Sequence, residues 1–186
     1  MTDTRPRLLV FAGPNGSGKS TAKSGVPVVG TYVNADDIKK ATGCSDLEAA
    51  QEAESVRESL LGSHADFTFE TVLSTDRNLN LISRAKDAGY EITSIFMLTV
   101  NASINVARVR TRVASGGHDV PEAKIRSRFE RSLANLPALV SLSDTCIVID
   151  NTGDDPVQIF VSDHTGYVVT ATPDWSEEQV NKLVGW

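Results

Sequence analysis

An α/β fold is predicted for this chain, with a mainly parallel five-stranded sheet flanked by helices, a helical lid, and a C-terminal β-hairpin plus helix. Three observations carry that expectation. Short apolar runs alternate with helical patterns along most of the sequence, the arrangement produced when crossover helices link parallel strands. The first apolar run passes directly into a glycine-rich turn that opens a helix. The 186 residues are 40% hydrophobic, enough to bury one core, so residues 1–186 are expected to form a single domain.

The first strand is Leu8 to Ala12. Gly13, Pro14, Asn15, Gly16, Ser17, Gly18, Lys19 and Ser20 follow at once and complete the pattern G-x-x-x-x-G-K-[ST], the P-loop of nucleotide-binding enzymes. A strand running into such a turn and then a helix aims successive backbone N–H groups at one point, where an anion belongs. Lys19 is expected at the β- and γ-phosphates of a nucleoside triphosphate, with the Ser20 hydroxyl on the Mg²⁺ that bridges them. The expected cofactors are therefore ATP, or GTP in its place, with magnesium.

The helix after the loop should stop near Gly25-Val26-Pro27, and a short strand around Thr31 to Val33 leads to Asn34-Ala35-Asp36-Asp37. One of these two aspartates, Asp37 being the nearer, is expected to cap a helix beginning at Ile38. Leu47 to Leu61 reads as a helix, Phe67 to Phe69 as a strand ending in Glu70-Thr71, and Arg77 to Ala88 as a helix closed by Gly89. The strand Ile92 to Val100 feeds a helix from Ala102 to Val113, broken at Gly116-Gly117. Pro121 to Leu136 reads as one further helix, with Pro121 in its first turn and Ile125, Phe129, Leu133 and Leu136 at core spacing. Cys146 to Asp150 is the expected last parallel strand. Val157 to Val161 and Tyr167 to Thr170 flank the turn Asp163-His164-Thr165-Gly166, and Ser176-Glu177-Glu178-Gln179 is a capping box opening a terminal helix. The lid thus covers about 102–136, and the hairpin with its helix about 157–186.

Composition narrows the function classes. A net charge of −6 makes nucleic acid an unlikely partner. Residues Met1 to Arg7 are polar and the apolar run after them is too short for a secretory or membrane segment, so no membrane association and a cytoplasmic location are expected. Cys44 and Cys146 have no paired spacing and read as reduced packing residues.

In parallel sheets ligands sit beyond the carboxyl ends of the strands. The P-loop, Asp36-Asp37 and Glu70 all fall at that edge. A carboxylate facing the γ-phosphate can accept the proton of an attacking hydroxyl, and Asp36 is assigned that role, which makes the fold kinase-like in its chemistry. Seven of the eighteen Lys and Arg residues lie between 108 and 131, a local positive site in an acidic chain. Arg108 and Arg112 share one helix face, while Lys124, Arg128 and Arg131 form a stripe on the next helix. Folded over the phosphates, these helices would act as a lid in which Arg112 and Arg128 meet the transferring phosphoryl group and Arg131 a substrate. The bland alternative is a solvated face paired with Glu122 and Glu130.

Ala12 to Thr21, Asn34-Ala-Asp-Asp-Ile38, Phe69-Glu-Thr-Val-Leu-Ser74, Gly116-Gly-His-Asp-Val-Pro121 and Arg128 to Leu136 together resemble the short bacterial proteins grouped as zeta-toxin-like or predicted ABC-type P-loop ATPases. The similarity runs from about Leu8 to Asn151. It implies a phosphotransferase fold, with the P-loop through Thr21 on the phosphates, Asp36 as general base, Glu70 on the acceptor and lid arginines at the γ-phosphate. It also implies a UDP-activated amino sugar as acceptor and a small antitoxin protein as a partner. Asn151, after the last parallel strand, stands where related kinases pass the adenine. Thr71-Val72-Leu73-Ser74 replaces the Gly-Thr-x-Arg that tends to follow the toxins' acceptor glutamate, and His118, expected among the substrate-binding residues, or a nearby arginine stands where the resemblance implies a catalytic lid arginine. Two readings from other classes accompany the small-molecule kinase: an NTP-dependent switch or ATPase acting through a protein partner, and a polynucleotide 5′-kinase, which the acidic charge and 6% aromatic content disfavour.

Overall fold

The structure, a computed structural model, describes residues 5–23 and 25–186. The first four residues of the polar leader, Met1 to Thr4, lie outside it. In chain order the elements are β1 (Arg7–Ala12), α1 (Lys19–Lys23), β2 (Thr31–Val33), α2 (Ala35–Thr42), α3 (Asp46–Gly62), β3 (Phe67–Thr71), α4 (Asp76–Asp87), β4 (Glu91–Leu98) and α5 (Ala102–Ala114). There follow α6 (Glu122–Ala134), α7 (Leu136–Leu142), β5 (Thr145–Asp150), β6 (Val157–Asp163), β7 (Gly166–Val169) and α8 (Glu177–Val184).

One mixed sheet of seven strands runs in the order β2-β3-β1-β4-β5-β6-β7. The first five in that order are parallel, and β6 and β7 continue the sheet antiparallel. The expected five-stranded sheet with a separate hairpin is thus corrected. Val157 to Ser162 pair along β5, because the outer edge of β5 offers unpaired backbone groups that the hairpin satisfies. At the hairpin turn the Asp163 carboxylate accepts the Thr165 amide at 2.7 Å, and Gly166 takes φ 139°.

Because β1 and β4 are central, their residues are buried on both faces. On one face Leu8, Val10, Phe67, Phe69 and Phe96 join the inner sides of α3, α4, α7 and α8 in the main core. On the other, Leu9, Phe11, Ile95 and Met97 form a smaller cluster with Ala22, Val26 and Val29. Val106, Val109, Val120 and Ile125 form a third cluster between α5 and α6, separate from both. That helical pair has its own apolar seam.

Two helix boundaries differ from expectation. The helix read from Pro121 to Leu136 ends at Ala134, and α7 begins at Leu136, a helix the sequence reading lacks. Pro137 has no N–H to donate back to the Leu133 carbonyl, so the α6 ladder cannot run on through it, while the Asn135 side chain donates to the Leu73 carbonyl at 3.0 Å. The helix expected from Ile38 starts at Ala35, with Asn34 rather than an aspartate as its cap: Asn34 Oδ1 accepts the Asp36 amide at 2.8 Å.

Candidate active site

β1 ends at Ala12, and register places Phe11 beside Glu70 and Ala12 beside Thr71 on β3. The chain therefore leaves the sheet at the P-loop with Glu70 one strand away. The Gly13 amide donates to the Thr71 carbonyl at 3.2 Å, pinning the start of the loop to that neighbouring strand. Gly16 and Gly18 take φ 79° and 97°. A Cβ at Gly16 would meet the backbone of Asn105 on α5, and one at Gly18 would meet the Asn151 amide group, so both positions require glycine for space as well as conformation.

Three polar side chains from elsewhere brace this loop. Asn105, fully buried on α5, donates to the Asn15 carbonyl at 2.6 Å and bonds Thr99. Arg128 reaches Asn15 Oδ1 at 3.4 Å from α6. Asn151 donates its amide to the Ser17 carbonyl at 2.8 Å, so in this structure it acts on the loop. Asn105 carries no motif, and sequence reasoning missed it; a polar residue on the apolar Val106-Val109 face was the available signal.

Lys19 folds back over its own loop. Its ammonium donates to the Gly13 and Pro14 carbonyls at 2.7 and 3.0 Å. Burial pulls its pKa down to about 8; Glu70 and Asp36 oppose that shift, and Arg112 adds to it. Lys19, Glu70, Asp36 and Arg112 thus share one electrostatic neighbourhood. Ser17 Oγ is buried with no hydrogen-bond partner among the described residues, a second polar group inside the loop that an anion's shell could satisfy. With α1 only five residues long, loop amides and Lys19 carry more of the anion's stabilisation than a helix dipole does.

The loop opens on a cleft of about 800 Å³. Its walls bring together Asn15, Gly16, Gly18, Lys19, Ser20 and Thr21 with Asp36, Glu70, Arg112, His118 and Arg128; Arg108 and Lys124 line it too. Arg131 and Asn151 are outside that lining. Arg110 and Arg126 turn the other way, both pairing with Glu122, at 2.7 and 2.8 Å. The basic cluster is thus divided: one set faces the cleft, and one is the solvated face.

Arg112 is held by the loop that follows its helix, donating to the His118 carbonyl at 2.8 Å, with Gly117 packed against its side chain. Arg108 donates to the Thr152 and Gly153 carbonyls at 3.3 and 3.4 Å. His118 lies 3.9 Å from Asp46 at the start of α3, across the cleft mouth. Asp37 pairs with Lys40 at 3.8 Å outside the cleft, whereas Asp36 lines it.

Glu70 accepts from Ser20 Oγ at 3.3 Å and from the Tyr32 hydroxyl at 2.5 Å. Among the described residues no group of three or more His, Cys, Asp or Glu is placed to hold a metal, so magnesium at Ser20 would be bound mainly through a nucleotide's phosphates. The donor set fits a Mg²⁺-nucleotide: amides and an ammonium for the anion, a hydroxyl with a neighbouring carboxylate for the ion.

No protein-family model matches the chain. An uncharacterised protein of Haemophilus influenzae is 27% identical over 129 residues, 66% of this chain and 92% of that protein. Among solved structures, a chain of the AvrRxo1-ORF1:-ORF2 complex crystallised with ATP superposes with a TM-score of 0.71 at 18% identity over 98% of this chain. This chain spans 64% of that one's length. A chain from the PezAT chromosomal toxin-antitoxin system of Streptococcus pneumoniae gives 0.60 at 14% identity, covering all of this chain and 85% of that one. A putative kinase from Chloroflexus aurantiacus gives 0.50 at 17%, covering 69% and 80%. The fold is that of P-loop kinase-like proteins, built here on a mixed seven-stranded sheet.

Proposed function

We propose that this protein is an ATP-dependent phosphotransferase that moves the γ-phosphoryl group of ATP to a hydroxyl of a small polar metabolite. One observation carries the reading: a single cleft sets a P-loop lysine and two lid arginines, Arg112 and Arg128, against two carboxylates, Asp36 and Glu70. A site that only senses or hydrolyses nucleotide does not require the second carboxylate.

In this scheme the acceptor oxygen bonds to the γ-phosphorus as the bond from that phosphorus to the β–γ bridging oxygen breaks, and the hydroxyl proton passes to Asp36. Lys19 holds the β- and γ-phosphates, and Arg112 and Arg128 meet charge that develops on the transferring group. Glu70 orients the acceptor. Magnesium, held by Ser20 and the phosphates, would neutralise charge on the triphosphate. The resemblance in the sequence to zeta-toxin-like proteins supports a UDP-activated amino sugar as the first acceptor to try. The PezAT and AvrRxo1-ORF1:-ORF2 neighbours support a small antitoxin protein as a partner. They also keep the switch reading in view. Among the described residues no helix is long and apolar enough to cross a membrane; a cytoplasmic location is part of the proposal.

The test is incubation with γ-labelled ATP and a cell metabolite extract. A labelled small molecule is expected, and Asp36→Asn should lower its formation by about 10²–10⁴-fold. Asp37→Asn, altering only a surface pair, should stay within about twofold. Release of bare phosphate with no labelled product would favour the NTP-dependent switch.

A further inference from the structure

Glu70 sits between two hydroxyls of unequal standing. The bond from Ser20 is long, 3.3 Å, and on the phosphotransferase reading that hydroxyl's lone pairs turn to magnesium. The bond from Tyr32 is 2.5 Å, is charge-assisted, and comes from a residue on β2 that is outside the cleft lining. Tyr32 is itself fixed. Its hydroxyl accepts from Asn34 Nδ2 at 2.9 Å, and the Lys23 ammonium lies 4.0 Å from its ring centroid. The Asn34 amide has only one orientation available, because its oxygen must accept the Asp36 backbone N–H. Burial, and then the bond to Glu70, push the ionisation of Tyr32 well above the ordinary tyrosine range, so its single proton stays in place to be donated.

Lys19 and Glu70 line the same cleft, and of the charged groups around that buried ammonium Glu70 acts on it most strongly. A carboxylate freed from β2 gains most by closing onto Lys19, and an ion pair there would cancel the charge that binds phosphate.

We propose that Tyr32 is a positioning residue that keeps Glu70 off Lys19, holding the phosphate site open and the carboxylate aimed into the acceptor half of the cleft. Through Asn34 the same hydroxyl ties Glu70 to the start of α2 and so sets its spacing from Asp36. The proposal rests on the phosphotransferase reading for the role of Glu70, and its geometry is testable apart from it.

Tyr32→Phe removes the hydroxyl and keeps the ring beneath Lys23. Calorimetry with Mg²⁺ and the non-hydrolysable analogue AMP-PNP is expected to show a Kd about tenfold weaker in Tyr32→Phe than in the parent. In a Glu70→Gln background, where no anion remains to close on Lys19, the same substitution should change Kd by less than twofold. A merely structural role for Tyr32 predicts equal losses in both backgrounds, and that result, or an unchanged Kd in the single variant, overturns the proposal. A crystal structure of nucleotide-free Tyr32→Phe decides the geometry independently. Glu70 should then lie within ion-pair distance of Lys19 Nζ, and a Glu70 still in its parental place rejects the idea. Failure of the parent to bind AMP-PNP would count against the phosphotransferase reading, while the crystal arm would still settle the brace.

Discussion

Lys19 ties sequence to chemistry at the scale of one side chain. In the nucleotide-free protein burial lowers its pKa to about 8, and a bound polyphosphate restores the preference for the charged form. The sign follows directly. Below about pH 8 the ammonium is already protonated and phosphate affinity is fully present; as pH rises through 8, binding must draw a proton from solution and affinity is lost. Calorimetry at pH 8.5–9 in buffers of different ionisation enthalpy should register proton uptake on ATP binding, absent at pH 6.5 and absent at both pH values in Lys19→Ala. A pH-independent affinity across 6.5 to 9 would show that Lys19 does not meet the phosphates. The lysine was legible because its motif is contiguous: eight successive residues fix their own geometry. Tyr32, Asn34 and Asn105 were not, since each acts through a partner 38 to 90 positions away or through a cap that any Asn, Asp or Ser could supply.

Among the elements, the helical pair α5 and α6 carries the sharpest division of labour. Arg110 and Arg126 share Glu122, and Arg112 and Arg128 face the cleft. An i, i+4 rule applied to sequence finds the faces but does not say which turns inward, because that depends on the Val106-Val109-Val120-Ile125 seam that clamps one helix to the other. The element alternation was readable from hydrophobic period, and so were most boundaries. The end of α6 was not, since the Asn135 hydrogen bond to Leu73 lies beyond any local signal. Nor was the merging of the hairpin into the sheet, a long-range pairing that a short alternating run cannot report. If the pair is a lid, Arg112→Ala and Arg128→Ala should each lower the single-turnover rate of labelled product formation by about 10²-fold with little change in ATP affinity, because charge met only in the transition state lowers the barrier alone. Arg126→Ala is the control and should stay within about twofold, as expected for an exposed ion pair contributing roughly 0–1 kcal/mol. Equal, small effects at all three positions would remove the lid from the mechanism.

Across the whole molecule, the hydrophobic interior is divided in a way that assigns stability and motion to different parts. The main core joins Phe67, Phe69, Tyr90 and Phe96, all fully buried, to four helices on one face of the sheet. The α5/α6 cluster is far smaller, with Val106, Val109, Val120 and Ile125 as its buried members, and polar bonds such as Asn105 to Asn15 and Arg128 to Asn15 link it to the P-loop. A unit with few buried apolar contacts opens locally at lower free energy than the structure that carries it. Hydrogen exchange followed by mass spectrometry should therefore show α5/α6 amides exchanging well before those of β1 and β4, with ATP and magnesium slowing the helical pair most. Substitution separates the two parts. Phe96→Ala removes a ring from the common core and should lower global stability by about 3–5 kcal/mol, seen as earlier denaturant unfolding of the whole chain. Ile125→Ala empties part of the local seam only, so it should speed exchange in α5 and α6 while the denaturant midpoint moves much less than in Phe96→Ala. If Ile125→Ala instead shifts the global midpoint as far as Phe96→Ala does, and exchange across the sheet rises with it, the helical pair is an integral part of the cooperative core. It could not then open and close over the nucleotide while the sheet stays intact.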